Sequence, residues 1–388
     1  MHVLKFSDVY FPRINGVSTS ILTFRHALAE LGVRVTVVAP QYLDDAPADD
    51  VIRVAARRVP LDPEDRLMRR CALRQLPDRL RGLDLNLVHV QTPFAAHYTG
   101  VKVARALGVP CIATYHTHFE EYLFHYIPFL PRSSLRALAR RVARGQCAAL
   151  DAVVVPSQAM AETLRDYGVT RPLHVIPTGL GESEFVRGDG QSFRAAHNIG
   201  RERKLALYVG RVAFEKNIGF LLEVAQLARR QRPDLLLLIA GDGPALPTLR
   251  RKSEQMGLSE HVRFVGYLAR DTGLKDCYAS ADLFVFASHT ETQGLVLLEA
   301  MAAGLPVLAI PALGAAGIVS PQRGAVPGSH EVPAFTEQLV QLLDQPQRLA
   351  QLGQDAVAFA REWDAASQAI KLAELYRALI EQHPGQMT

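Results

Sequence analysis

Residues 289–309 read HTETQGLVLLEAMAAGLPVLA and set two glutamates, Glu291 and Glu299, on either side of Thr292-Gln293-Gly294-Leu295. Taken alone, this is an ordinary helix start: a threonine cap, a glycine, then a buried apolar face. Two further stretches add chemistry. LYVGRVAFEKN carries Arg211 and Lys216 just past a strand-like run, and LLLLIAGDGP ends in a tight turn at Gly241. A helix start presents unpaired backbone amides to an anion, and Arg or Lys adds charge-assisted hydrogen bonds. Carboxylates repel phosphate, so Glu291 and Glu299 suit neutral partners, such as the vicinal hydroxyls of a sugar or a ribose. A phosphate flanked by two sugars is a nucleotide-sugar. Each of these features is common on solvated loops when it stands alone. Their recurrence at successive strand ends is what gives them weight.

The elements that must position these residues follow a βαβ rhythm. Runs rich in β-branched residues at 2–7, 33–40, 87–91, 110–116, 151–157 and 173–179 read as strands. Helical patterns at 17–32, 98–108 and 158–168 alternate with them. The polar stretch 182–200 breaks the rhythm, which restarts with strands expected at 204–210, 234–241, 261–266, 282–288 and 305–310. This is the pattern of parallel sheets covered on both faces. It predicts an α/β chain of two doubly wound Rossmann-like domains, 1–180 and 200–361, with a linker around 180–200 and a long amphipathic helix at the end. In such sheets ligands sit beyond the carboxyl ends of the strands, where the residues above fall.

Composition narrows the class. The chain has 388 residues, enough for two cores, and its 48% apolar and 21% charged content is that of a globular protein. A net charge of +4 does not imply nucleic acid. The four cysteines are widely spaced without a C-x-x-C pair, which argues against a disulfide scaffold or a cysteine zinc site and fits a reducing cytosol. The opening MHVLKFSDVYFP is too briefly apolar for a signal peptide and reads as a first strand. Residues 294–319 are apolar enough to mislead a hydropathy scan, but Glu299, Pro306 and Pro311 make helix, turn and strand the better reading. No G-x-G-x-x-G follows a strand, and no G-x-x-x-x-G-K-[ST] is present, so a Rossmann dehydrogenase and a P-loop NTPase are disfavoured.

In order along the chain, SDVYFPRINGVSTSI, TYHTHFEEYLFHYIP, VVVPS, YVGRVAFEKN, IAGDGP, VRFVGYL and SHTETQGLVLLEAMAAGLPV resemble the motifs of family 4 retaining glycosyltransferases of the GT-B fold. The resemblance covers nearly the whole chain. It implies two Rossmann-like domains facing a central cleft, with 200–361 binding the donor and a terminal helix at about 362–384 packing back on the first domain. Residue by residue, it implies that Glu291 holds hydroxyls of the transferred sugar and Glu299 the ribose. Arg211 and Lys216 would neutralise the diphosphate, with backbone around Thr292, Gln293, Gly294 and Leu295 facing diphosphate or sugar. Gly16 and the turn at Gly241 would let backbone approach the donor, Tyr267 and Leu268 would meet the base, and His116 would lie near the donor sugar. Retention of anomeric configuration is implied too. No carboxylate nucleophile stands out, which fits a front-face mechanism, and no D-x-D stands at a strand end (DDAPADD, 44–50, reads as a surface loop), so no metal or other cofactor is required.

The first half carries the acceptor clues. His116, His118 and Glu120 alternate, so on a strand they would share one face; a zinc site is one reading, a buried structural histidine another. RSSLRALARRVAR (132–144) sets Arg132, Arg136, Arg140 and Arg144 at i+4, with Leu135, Leu138 and Val142 on another face. RLMRRCALRQLPDRLR (66–81) is similarly basic. Basic amphipathic helices suit an anionic membrane surface, although a solvated face in an arginine-rich chain is the plainer alternative. The details of TETQGL and HTHFEEYLFHYIP resemble the bacterial branch that glucosylates diacylglycerol. The expectation is therefore a hexosyltransferase, peripheral on the inner face of the cell membrane, that moves a hexose (UDP-glucose favoured) to a membrane lipid, with no nucleic-acid partner. GDP-mannose-dependent mannosyl transfer and a soluble or surface-polysaccharide acceptor are alternatives. A nucleotide-sugar epimerase on the same fold would need acids or bases around the sugar C2, and no second motif set supplies them.

Overall fold

The structure is a computed structural model describing all residues except 44–49, 60–61, 81, 117–131, 271–272 and 384–388. His118 and Glu120, and all of the 44–50 loop but Asp50, lie outside the described residues. The chain divides into two compact units, one of residues 1–179 with 365–388 and one of 180–364.

The first unit is built on strands β1 (His2–Phe6), β2 (Arg34–Pro40), β3 (Val51–Val54), β6 (Leu87–Val90), β7 (Cys111–Thr114), β8 (Ala152–Val155) and β9 (Leu173–Val175). They form one parallel sheet in the order β3-β2-β1-β6-β7-β8-β9. Strands β4 (Ala56–Val59) and β5 (Asp62–Met68) pair as a separate antiparallel hairpin. The second unit carries β10 (Lys204–Val209), β11 (Leu235–Ala240), β12 (Val262–Gly266), β13 (Leu283–Phe286), β14 (Val307–Ala309) and β15 (Ala325–Pro327), all parallel in the order β12-β11-β10-β13-β14-β15.

The expected strands thus form, one to four residues shorter than their apolar runs, because those runs are buried on both sides: β1, β6, β8, β11 and β13 are buried throughout. Strands β3, β4, β5 and β15 were not legible as strands. Each is short or charged, and a strand of that kind is fixed by its neighbour more than by its own pattern. The 66–81 segment corrects an expectation. It is not one basic amphipathic helix: Arg66–Met68 complete β5, and Arg70–Arg74 and Leu76–Leu80 are two short helices. Pro77 lies in the first turn of the second, where a proline starts a helix more readily than it continues one.

Residues 180–200 belong to the second unit, with a 3-10 turn at Glu182–Phe185 and a helix at Gly190–Ala196 capped by Asp189. The helix Ala365–Gln382 is counted with the first unit and buries Ala369, Leu372, Ala373 and Tyr376 in its core. No helix among the described residues is long and apolar enough to cross a membrane.

Each sheet changes strand order once, between β1 and β6 in the first unit and between β10 and β13 in the second. At the first of these points the Asp8 carboxylate accepts from Thr92 Oγ1 at 2.7 Å and from the Ala96 amide at 3.0 Å. It thereby caps the helix Ala95–Leu107, which starts earlier than its apolar pattern suggests. Burial pushes the Asp8 carboxyl up to about 6 against those bonds.

Beneath it, Lys5 lies on β1 with only 1% of its surface exposed and its ammonium 5.4 Å from the centre of the Phe24 ring. Burial lowers its pKa to about 7. An unfolded chain keeps that proton up to about pH 10.4, so between the two values the unfolded state binds more protons and stability contributed by this group rises with pH. Lys5→Met is accordingly expected to stabilise the protein at pH 7, by an amount on the order of 4 kcal/mol. It should also flatten the rise in unfolding free energy between pH 7 and 10. Urea titrations of both proteins across that range would show it, and parallel curves would rule it out.

Candidate active site

The order change between β10 and β13 places two loops side by side beyond their carboxyl ends. After β10, Arg211 and Lys216 lie on a loop that finishes in the 3-10 turn Phe214–Lys216. After β13, residues 287–294 lead into the helix Leu295–Ala302. Asn217 ties the two, its side-chain amide donating to the Ala287 carbonyl at 3.2 Å. The Lys216 ammonium forms an ion pair with the Glu291 carboxylate, both partly exposed. The two residues are 75 positions apart, so only the sheet brings them together.

The Arg211 backbone is fixed from below. Tyr208, fully buried and stacked on Phe286 at 5.8 Å, donates its hydroxyl to the Arg211 carbonyl at 3.1 Å. Burial, with the negative charges of Glu291 and Glu215, raises the Tyr208 phenol well above its usual range, so it remains a donor. On the far side, the Val212 amide donates to the Asp242 carbonyl at 2.8 Å. Gly241 sits at φ +142°, and a Cβ there would stand 1.9 Å from the Gly210 carbonyl oxygen. Glycine is required at that position because the two loops meet backbone to backbone.

The helix Leu295–Ala302 is capped by Gly294 at φ +93° with no side-chain bond, so the threonine cap suggested by the sequence does not form. Of its first-turn amides, that of Leu297 donates to the Gly294 carbonyl at 2.9 Å, while those of Leu295 and Val296 have no partner within the helix. Gly314 supports the turn, donating its amide to the Glu291 carbonyl at 2.8 Å. Gln293 is buried and Thr292 half-buried in the same turn. Tyr267 and Leu268 follow β12, with Tyr267 52% exposed and Leu268 against the core.

Glu299 sits differently from Glu291. It is 3% exposed, on a helix buried almost all round. Its Oε1 lies 2.7 Å from Arg270 Nη2, and its Oε2 accepts from the Tyr278 hydroxyl at 3.2 Å. Arg270 also reaches Glu184 at 3.2 Å. Burial raises the Glu299 carboxyl, with Arg270 opposing that rise. Arg270, Tyr278 and Glu184 were not singled out in the sequence. The usable signal was Arg270 itself, a cation two residues past Leu268 and facing a helix that carries a glutamate.

In the first unit, Gly16 opens the helix Gly16–Glu30, capped reciprocally by Asn15 and Ser18. A Cβ on Gly16 would meet nothing within 4 Å, so packing within the protein does not require glycine there. His116 stands just past β7, its Nε2 3.1 Å from Gln91 Oε1. Burial and the neighbouring Lys5 lower His116 to about 3, so the ring is neutral. Among the described residues no group of three or more His, Cys, Asp or Glu is arranged to hold a metal ion.

Two parallel-sheet α/β units with charged loops beyond the strand ends define the GT-B class of glycosyltransferase. The family model described as glycosyltransferase family 4 matches residues 14–184, and that described as glycosyl transferases group 1 matches residues 189–359. The alpha-monoglucosyldiacylglycerol synthase of Streptococcus pneumoniae is 33% identical over 80% of this chain and 71% of its own length. A GDP-mannose-dependent alpha-mannosyltransferase of Mycobacterium tuberculosis is 29% identical over 82% and 81%. The crystal structure of Anabaena HepE in complex with UDP-glucose superposes with a TM-score of 0.78 at 18% identity, covering 98% of this chain and all of that one, and shares the fold. The chain belongs to the family 4, group 1 glycosyltransferases and is a hexosyltransferase.

Removing one partner of a buried ion pair strands the other. Arg270→Met is therefore expected to cost about 3 kcal/mol of stability, and adding Glu299→Gln should recover much of it. Urea unfolding of the two single variants and the double variant measures that coupling; additive losses would show that the pair is not coupled.

Proposed function

We propose that the protein transfers glucose from UDP-glucose, with retention of configuration, to a lipid acceptor such as diacylglycerol at an anionic membrane surface. The observation that carries this reading is Lys216 held against Glu291 at the start of the helix Leu295–Ala302, beyond the point where the second sheet changes strand order. A nucleotide-sugar can replace that ion pair on both sides, giving Lys216 a phosphate and Glu291 the hydroxyls of the hexose. Arg211 adds a second cation, and the amides around Gly294 and Leu295 supply donors without desolvating a side chain. Gln293 and Thr292 shape that turn, and Gly241 lets the β11 loop pack against the β10 loop. Glu299 would take the ribose while sharing Arg270, and Tyr267 and Leu268 would meet the base. From the first unit, Gly16 would leave room for phosphate, and neutral His116 would serve the sugar as a hydrogen-bonding group, not as a cation.

In the reaction, the bond from the sugar C1 to the phosphate oxygen breaks as the acceptor hydroxyl oxygen bonds to C1 on the same face. The hydroxyl proton leaves with the departing phosphate. The residues' main work would be to stabilise the negative charge growing on that diphosphate, through Arg211, Lys216 and the helix amides. No metal is needed for that charge balance, since two cations already serve it.

The diacylglycerol acceptor and the glucosyl donor rest on the Streptococcus relative's printed name, and UDP-glucose also on the Anabaena complex. The mycobacterial relative supports a second reading, in which GDP-mannose is the donor. A transfer assay separates them: purified protein meets radiolabelled UDP-glucose or GDP-mannose with diacylglycerol in anionic vesicles. Label extracted into the organic phase from UDP-glucose is expected. Label from GDP-mannose instead would favour the second reading, and donor hydrolysis with an unlabelled organic phase would move the acceptor to a soluble sugar. Glu291→Ala should lower turnover by about 10²–10³-fold in a protein that still unfolds cooperatively. Near-normal turnover would remove Glu291 from its role.

A further inference from the structure

The helices Ala95–Leu107 and Arg132–Ala148 of the first unit enclose a groove of about 570 Å³. Val101, Val142 and Ala149 give it an apolar lining, beside the buried Gln146, whose side-chain amide donates to the Pro93 carbonyl at 2.7 Å. Tyr98 and Leu138 also line it, 64% and 41% exposed, and the Tyr98 ring meets His97 edge-on with ring centres 5.2 Å apart. Burial lowers His97 to about 4, which leaves it neutral beneath the tyrosine.

Lys102, Arg105 and Arg141 also line the groove, and no carboxylate does so among the described residues. None of the three makes an ion pair with a described residue. The sequence suggested a different charged face. Of its stripe Arg132, Arg136, Arg140 and Arg144, Arg140 is already stacked over the Tyr167 ring at 5.6 Å. Leu135, expected on the same face as Leu138 and Val142, is instead buried in the unit's interior. The helix therefore divides its apolar residues between a core face and the groove.

We propose that this groove seats an acyl chain of a bilayer phospholipid whose anionic headgroup is held by Lys102, Arg105 and Arg141. The chemistry selects an amphiphile. A solvated face mixes charges of both signs, and this one carries only cations. A nucleic-acid track would need a row of aromatic faces for stacking, and here one tyrosine borders an apolar trough. An acyl chain gains from each methylene it buries, and a polybasic rim adds the second signal that stable membrane attachment requires. The inference rests on the groove alone and does not depend on which acceptor or donor the enzyme uses.

The test uses the full chain with vesicles of phosphatidylglycerol or of phosphatidylcholine. Co-sedimentation is expected with the former and not with the latter. Lys102→Gln with Arg141→Gln should weaken binding about thirtyfold, whereas Arg136→Gln with Arg144→Gln, the same charge change off the groove, should weaken it less. The indole introduced by Leu138→Trp should be quenched by phosphatidylglycerol carrying brominated chains, beyond any quenching of Trp363 in the wild type. Equal losses in the two double variants would overturn the proposal in favour of diffuse attraction. So would the absence of that extra quenching in vesicle-bound Leu138→Trp protein, or equal binding to both lipids. UDP binding by calorimetry, run on each variant, reports on the second unit alone. Its retention shows that the variant is folded, and its absence in the wild type would count against the donor reading without touching the groove.

Discussion

A sheet buried on both faces leaves chemistry only to the ends of its strands. In the second unit, β10, β11 and β13 fill the interior with apolar side chains and one tyrosine, Tyr208, so the cations and carboxylates available to a ligand stand on the loops and helix starts past them. The change of strand order between β10 and β13 opens an interval where the loops after these two strands run side by side. Arg211, Lys216, Glu291 and the start of the helix Leu295–Ala302 all fall in that interval. Their placement is thus a consequence of topology before it is one of side-chain chemistry. The glycines follow from the same constraint. Loops that must converge here pack backbone on backbone, and a Cβ on Gly314 would stand 2.1 Å from the Thr292 carbonyl oxygen.

The two glutamates that share one short motif live in different dielectric surroundings. Glu291, at the loop, is partly exposed and balanced by one lysine. Glu299 lies one turn into a helix that is apolar on nearly every side, where a carboxylate without a counterion would be very costly. Arg270 supplies that counterion, and it also holds Glu184 from the turn Glu182–Phe185. The consequence is structural. The segment 180–200, which reads as a linker by composition, is tied to the buried glutamate by a shared arginine, and Asp276 accepts from the Asp189 amide at 2.7 Å. Glu299 therefore carries a load in the second unit that its motif does not reveal.

How much was legible follows from how local each feature is. Strands β1, β10 and β11 declare themselves through unbroken apolar runs, and the charged loops after β10 and β13 come directly from the residues there. The pairing of Lys216 with Glu291 was not legible, because it depends on which strands become neighbours. Neither was the hairpin of β4 and β5, whose charged strands carry no alternation and are defined by each other. The helix Ala95–Leu107 begins three residues before its apolar periodicity because Asp8, 88 positions away from Ala96, supplies the cap. The basic segment 66–81 misled for the opposite reason: its composition fits an amphipathic helix, but composition says nothing of the strand partner that claims its first residues.

The first unit separates polarity from charge. Its interior holds His89 between the Tyr376 hydroxyl at 2.7 Å and the Thr114 hydroxyl at 2.8 Å, and His116 against Gln91. Burial keeps both imidazoles neutral, so they act through direction and not through field. Lys5 apart, the positive charge of this unit lies mostly on its helices, on Arg53 and on the β4–β5 hairpin, and on the helices much of it is in water and within reach of salt. Interior groups so arranged can orient a ligand but attract nothing from a distance; exposed arginines attract but do not orient. The groove beside Tyr98 is where the two properties meet, because there cations without an ion-pair partner among the described residues border an apolar lining.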